Sequence, residues 1–332
     1  MHIFIDESGT FTHATSEDSV SAVGALVIPD GQLATIEEQY AAFRVHLPKE
    51  NSEVKGRLLS EHHVETVVSM LLRHDVLFEV TAVDLWMHQP SDIAKHQALQ
   101  GERLTANLTD EHHQNLRKAV IDLRARVEKM TPQLFVQSAA TFSLIENVIQ
   151  HATLFYCQRL PSELGVFKWV IDGKDKQKVT DWERWWSLIV KPALQSRSFR
   201  KPLVCIREGD YSHFDRFRTT IGDYLKPYVP EGEAIDVGKI MTESFRFSGV
   251  PEPGLELVDI LVNATRRALV GNLALSGWAN IRRLMIHRSA HYIQMVALLE
   301  TAPPSRSYPY WPVLRHFSGG GKNMFAKRRS SP

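Results

Sequence analysis

"FIDESG", residues Phe4 to Gly9, decides how this chain is read. An apolar run that suits a strand leads straight into two adjacent carboxylates, and strands are poor in Asp. An acidic pair at that place calls for a turn or a cation beside it. Alternation sends the two side chains apart: Asp6 shares the face of Phe4, and Glu7 that of Ile3 and Ile5. Only one of them is available to a given site.

Working outward, Met1 to Ile5 reads as a short strand and Ser19 to Ile28 ("SVSAVGALVI") as a second, stopped by Pro29-Asp30-Gly31. Helical spacing follows over Leu33 to Leu47, and again from Ser60, a suitable N-cap, to His74. "VLFEVTAVDL" (Val76–Leu85) and "GVFKWVID" (ending at Asp172) read as strands, with "PLVCIR" as a further strand. Helices are expected over Trp182–Gln195, Phe214–Lys226, Leu255–Val270 and Trp278–Glu300. A hairpin followed by strands alternating with helices predicts an α/β fold, a mixed sheet flanked by helices. The expected layout is one domain over residues 1–300, with a helical insertion or lid at about 91–160, a C-terminal helical extension, and a loose basic tail over 301–332.

The 332 residues are 43% hydrophobic, as in ordinary globular chains. No apolar run approaches the roughly 20 residues of a membrane-spanning helix, and the N-terminus does not read as a secretory signal. Cys157 and Cys205 fit no disulfide framework or zinc spacing, so a cytoplasmic protein with reduced thiols is expected. The net charge of +1 conceals an asymmetry: from Ala264 onward eleven Lys or Arg face the single acid Glu300, whereas 28 basic and 37 acidic residues precede that point. Such asymmetry suits an acidic site with a basic arm for a polyanion, and equally a basic face folded onto an acidic body.

Several acids fall at predicted strand ends or on one helix face. Asp172 closes "FKWVID" just before Gly173, where side chains of an α/β sheet commonly meet ligands. Asp84 ends "FEVTAVD" and competes with it; Asp172 is the preferred of the two. Glu256, Asp259 and Asn263 share a helix face within "LELVDILVN". Glu53 lies in "SEVKG", two positions before Lys55. Carboxylates gathered from separate elements repel unless a cation sits among them, and hard divalent ions take oxygen ligands of this kind. Taken one at a time, each acid is better explained as a turn residue, a solvated side chain or a salt-bridge partner, and spacing alone does not decide for the set. The pairs His62-His63 and His112-His113, the "GGGKN" run at Gly319, and Ser8 with His13 lack the spacing or third group that chemistry would need. The tryptophans of "ERWWSLIV" read as core.

In order along the chain, "FIDESG", "SEVKG", "WVIDGK" and "PGLELVDIL" resemble the bacterial domain-of-unknown-function family 3800, whose members look like the RNase H-like (retroviral integrase) fold. The likeness covers residues 1 to about 60, about 165 to 175 and about 240 to 270. It implies a metal-dependent, nuclease-like site in which Asp6, Glu53, Asp172 and Asp259 take the acidic positions, with Lys55 beside them. The chain departs from the usual last motif in having Glu256 and Val258 in place of Gln and Ala, and Glu256 is a further possible ligand. The resulting expectation is an Mg²⁺- or Mn²⁺-dependent nuclease. Asp6, Asp172 and Asp259 would hold metal, Glu53 would complete a second metal site or orient water, and Lys55 would steady a phosphate oxygen. Arg266, Arg267, Arg282 and Arg283 would contact nucleic acid phosphates. The rival expectation is a non-catalytic RNase H-like module that binds nucleic acid or a protein.

Overall fold

The structure, a computed structural model, describes residues 1–14, 19–173, 180–200, 203–220, 233–298 and 308–326. Strand β1 (His2–Ser8) turns back at Gly9 into β2 (Val20–Ile28), and the two pair antiparallel with Asp6 opposite Gly24. Gly9 has φ +111°, and a Cβ there would lie 2.2 Å from Ser21 Oγ, so only glycine fits this turn. Helix α1 (Asp30–Arg44) leads to a small hairpin, β3 (Lys49–Glu50) and β4 (Glu53–Val54), then to α2 (Glu61–Leu71) and β5 (Leu77–Asp84). Ser60 caps α2 as expected, its hydroxyl accepting from the His63 N–H.

Three helices follow, α3 (Pro90–Thr105), α4 (Gln114–Glu128) and α5 (Pro132–Tyr156), before β6 (Lys168–Asp172). Helix α6 (Asp181–Trp185) runs through a π-helical turn into α7 (Lys191–Arg200). Then come the pair β7 (Arg218–Thr220) and β8 (Glu233–Ile235), α8 (Val237–Thr242), β9 (Phe245–Ser248), α9 (Pro253–Leu269), α10 (Leu275–Trp278), β10 (Ile293–Met295) and α11 (Trp311–His316).

Six strands form a mixed sheet in the order β10-β5-β2-β1-β6-β9, in which only β2 runs against its neighbours. Alternation along the strands divides the core. Phe4, Ala22, Leu26, Phe78 and Val170 pack with α2 and α9 on one face, while Ile3, Ile5, Val23, Ala25 and Ile171 pack with α5 on the other. All nine residues of β2 are buried, as befits a strand covered on both faces. Helix α9 starts on Pro253, and Gly254 lets its first turn settle on β1: a Cβ there would stand 2.3 Å from the Phe4 ring.

Several expectations are corrected. Within the region 91–160, expected as a helical insertion or lid, the apolar face of α5, including Val136, Ala140, Leu144 and Val148, packs on the sheet and forms the second layer of the core. Helices α3 and α4 join the same core through buried Ile93 and Val127. The helix expected over Phe214–Lys226 is instead a 3-10 turn (Asp215–Phe217) followed by β7, as far as residue 220; residues 221–226 lie outside the described residues. Phe214 and Phe217 are drawn into an aromatic cluster with Phe167, which fixes a tight turn rather than a helix. Residues 203–206 of "PLVCIR" form no strand. The helix expected over Trp278–Glu300 breaks into α10, a 3-10 turn and β10, because Ile293 pairs beside Val80 and extends the sheet; residues 299 and 300 lie outside the described part. Residues 308–326, expected to be loose, are anchored by buried Leu314 and Phe317 and by Lys322, whose ammonium donates to the carbonyls of His74 and Val76. Among the described residues no helix is long and apolar enough to cross a membrane.

Candidate metal centre

β1 and β6 lie parallel with Ile5 beside Ile171, so Asp6 and Asp172 follow on adjacent strands. Both take the face of Phe4 and Val170, the face that α9 covers. Asp6 Oδ1 accepts the N–H of Glu7 at 2.7 Å. Asp259 approaches from α9, and its Oδ2 accepts the Gly56 N–H at 2.8 Å. That contact needs glycine, since a Cβ at Gly56 would lie 2.8 Å from both the Asp259 carbonyl and the Asn263 Cβ.

Glu53 and Lys55 arrive on the small hairpin. Asn51 and Ser52 take φ of +51° and +69°, as a two-residue loop of primed type requires. β4 then presents Glu53, and Lys55 Nζ meets Glu53 Oε1 at 2.5 Å. Burial would discharge the Lys55 ammonium, but the bond to Glu53 and the charges of Glu53, Asp259 and Asp6 outweigh it and hold its pKa above the usual lysine value.

The carboxyls respond to one another. Burial drives Asp172 up to about 6; Lys55 opposes this, and Glu53, Asp259 and Glu183 add to it. Asp259 is likewise raised, first by burial and then by Glu53 and Glu256, against the Gly56 N–H and Lys55. Lys55 therefore feels the charges of Asp6, Glu53 and Asp259, and Asp172 those of Lys55, Glu53, Asp259 and Glu183, with acids in excess among the described residues.

Glu183 is an acid that the sequence reading missed. It is buried in the first turn of α6, where its Oε2 accepts the Thr180 N–H at 2.5 Å and also bonds the Thr180 hydroxyl. The signal was present in "TDWE", a Thr followed three residues later by Glu.

The two alternatives are placed elsewhere. Asp84 lies on β5, separated from β1 by β2, and its oxygens accept the Trp86 N–H and the Tyr310 hydroxyl. Glu256 is 1% exposed and fully engaged by Tyr40, by both Arg44 nitrogens at 2.6 Å and by the Val54 N–H. It clamps α1 and the hairpin onto α9, and so fixes where Glu53 sits.

Arg266 donates to the Val20 carbonyl, Arg267 to that of Leu59 and Arg282 to that of His316, while Arg283 is exposed. Arg266 and Arg267 lie seven and eight residues beyond Asp259 on α9, about 10–12 Å along the helix axis.

No known protein family, curated protein or solved structure matches the chain. The site is accordingly judged on its own chemistry. Its donors are all carboxylate oxygens, the set that suits a hard divalent cation, and Asp172 and Asp259, raised first by burial and further by neighbouring acids, would be relieved by such a cation. Among the described residues, no three Asp, Glu, His or Cys side chains stand close enough together to grip one ion. Among the described residues, Lys55 supplies positive charge to these carboxyls.

Proposed function

We propose that the protein is a divalent-metal-dependent phosphodiesterase of nuclease type, built on an RNase H-like sheet and acting on nucleic acid in the cytoplasm. The observation that carries this reading is the gathering of Asp6, Asp172 and Asp259 with Glu53 and Lys55, in which Asp172 is pushed up to about 6. A mixed sheet with one reversed strand is compatible with that fold, and the free thiols of Cys157 and Cys205 accord with a reducing compartment.

Asp6, Asp172 and Asp259 would hold Mg²⁺ or Mn²⁺. The ion supplies Lewis-acid stabilisation of a phosphodiester and a more acidic water. Lys55 steadies a non-bridging phosphate oxygen, its ammonium kept charged by Glu53. Glu53, tied to Lys55, orients the attacking water through its second oxygen. Arg283, together with the spare hydrogens of Arg266, Arg267 and Arg282, supplies positive charge for the nucleic acid backbone, which makes affinity fall as salt rises.

The test is cleavage of labelled single- and double-stranded DNA and RNA with Mg²⁺, with Mn²⁺ and with chelator. Asp6→Asn and Asp259→Asn should each lower the rate by at least about 100-fold, with circular dichroism unchanged. Metal-independent cleavage, or full activity in both folded variants, would overturn the catalytic assignment. Binding of nucleic acid without cleavage by the parent protein would support the non-catalytic module instead.

A further inference from the structure

Away from the acidic site, α3, α4, α5 and the π-helical turn enclose a cavity of about 530 Å³ that opens to solvent. That volume lies within the range of small-molecule sites. The sequence opens it in a definite way. Phe135, Ala139 and Phe142 recur along one face of α5, and the small Ala139 between two rings leaves room that a larger side chain would fill. Leu123 and Val127 of α4 and Ile189 of the π-helical turn complete an apolar wall.

The polar groups are concentrated on α3. His96, Gln100 and Arg103 lie at intervals of four and three, on one face of the helix. His96 and Gln100 meet each other at 3.2 Å. Arg103 is exposed and has no acidic partner among the described residues, so its guanidinium stands at the open side with its hydrogens uncommitted. Among the described residues, no carboxylate lines this cavity.

An apolar chamber with, among the described residues, one unneutralised cation at its mouth is complementary to an apolar chain ending in an anion. We propose that this cavity binds a chain-like carboxylate of about twelve carbons, its tail among Phe135, Phe142 and Ile189 and its head on Arg103. The site is independent of the acidic centre and of the activity proposed for it. An occupant would bridge α3 and α4 to α5, the helix that backs the sheet.

Calorimetric titration of the full chain with dodecanoate, below its micelle concentration, tests this directly. One saturable site is expected, together with a higher melting temperature. Arg103→Ala should weaken binding roughly tenfold, and dodecyltrimethylammonium should not compete. Ala139→Trp fills the chamber from α5 and Leu104→Trp fills it from α3; either one, if folded by circular dichroism, should abolish binding. No saturable binding to the parent protein would overturn the proposal, as would equal binding of the cationic amphiphile or unchanged binding in a folded chamber-filling variant.

Discussion

The two faces of the central sheet each bury acids, with opposite results. On the α5 face, Glu79 of β5 is 1% exposed, and its carboxylate meets His151 Nδ1 at 2.9 Å and Arg288 Nη1 at 3.1 Å. Burial pushes this carboxyl up, but His151 and Arg288 together outweigh burial and leave its pKa below the usual range. On the α9 face, Asp172 is partly buried, yet Lys55, which opposes the rise, is shared with Glu53, Asp259 and Asp6, and the Asp172 pKa is driven up to about 6, by burial first. Burial is common to both, so the count of compensating charges sets the sign. The first cluster is complete as a structural device. Among the described residues the second has more acids than cations, the condition in which a site gains by taking a cation.

The largest effect that could break this comparison is on stability. Arg288→Ala leaves Glu79 buried beside His151 alone, and a broken buried pair costs about 3–5 kcal/mol. Urea unfolding at pH 7 should show that loss, and adding Glu79→Gln to the same chain should restore part of it. A cost below about 1 kcal/mol would mean that Glu79 is not held by charge compensation.

A smaller effect, of opposite sign, is expected at Asp172. Its folded pKa lies near 6, against about 3.9 unfolded. The folded state therefore binds the proton more tightly, and this contribution to stability is complete below about pH 4 and lost as pH rises to about 6. Asp172→Asn should match the parent at pH 4 and exceed it by about 1–2 kcal/mol at pH 7. For Glu79 the sign reverses: its depressed pKa gives stability that is present above about pH 4.3 and lost as pH falls through the folded value. Mn²⁺ sharpens the contrast, since it should raise the melting temperature of the parent more at pH 7 than at pH 5 and leave Asp172→Asn nearly unmoved. An Asp172→Asn protein less stable than the parent at pH 7 would contradict the surplus-charge account.

What was legible in the sequence was what local pattern encodes. The alternation of "FIDESG" puts Asp6 on the face of Phe4, Ser60 marks the start of α2, and "PGLELVDIL" marks α9 almost to the residue. Asp172 over Asp84 was a choice about neighbouring strands, and the strand order puts Asp172 beside Asp6. What was hidden depends on partners distant in the chain. β10 exists because the edge of β5 needs a neighbour, although its sequence also suits a helix. Helix α5 is a core layer because the sheet has a second apolar face to cover, and nothing within α5 announces that. The helical spacing groups Glu256 with Asp259 as α9 does, but Arg44, 212 residues away in sequence, is what commits Glu256 to a clamp.

The smallest expected effect tests how the hairpin carries Glu53 and Lys55 to the site. Ser52 holds φ +69°, a region that costs a non-glycine residue about 1 kcal/mol, and Asn-Gly is the favoured pair for such a loop. Ser52→Gly removes that strain and gives back part of the gain as unfolded-state entropy, for a net stabilisation of about 0.5 kcal/mol. The Ser52 carbonyl, which accepts from Arg44 Nη2 at 2.7 Å, belongs to the backbone and survives the change. Unfolding midpoints should therefore rise slightly while cleavage, where present, is unaltered, because Glu53 and Lys55 keep their places. If activity falls while stability rises, the strained loop itself contributes to the acidic site, and the difference between the two faces of the sheet extends from charge to backbone.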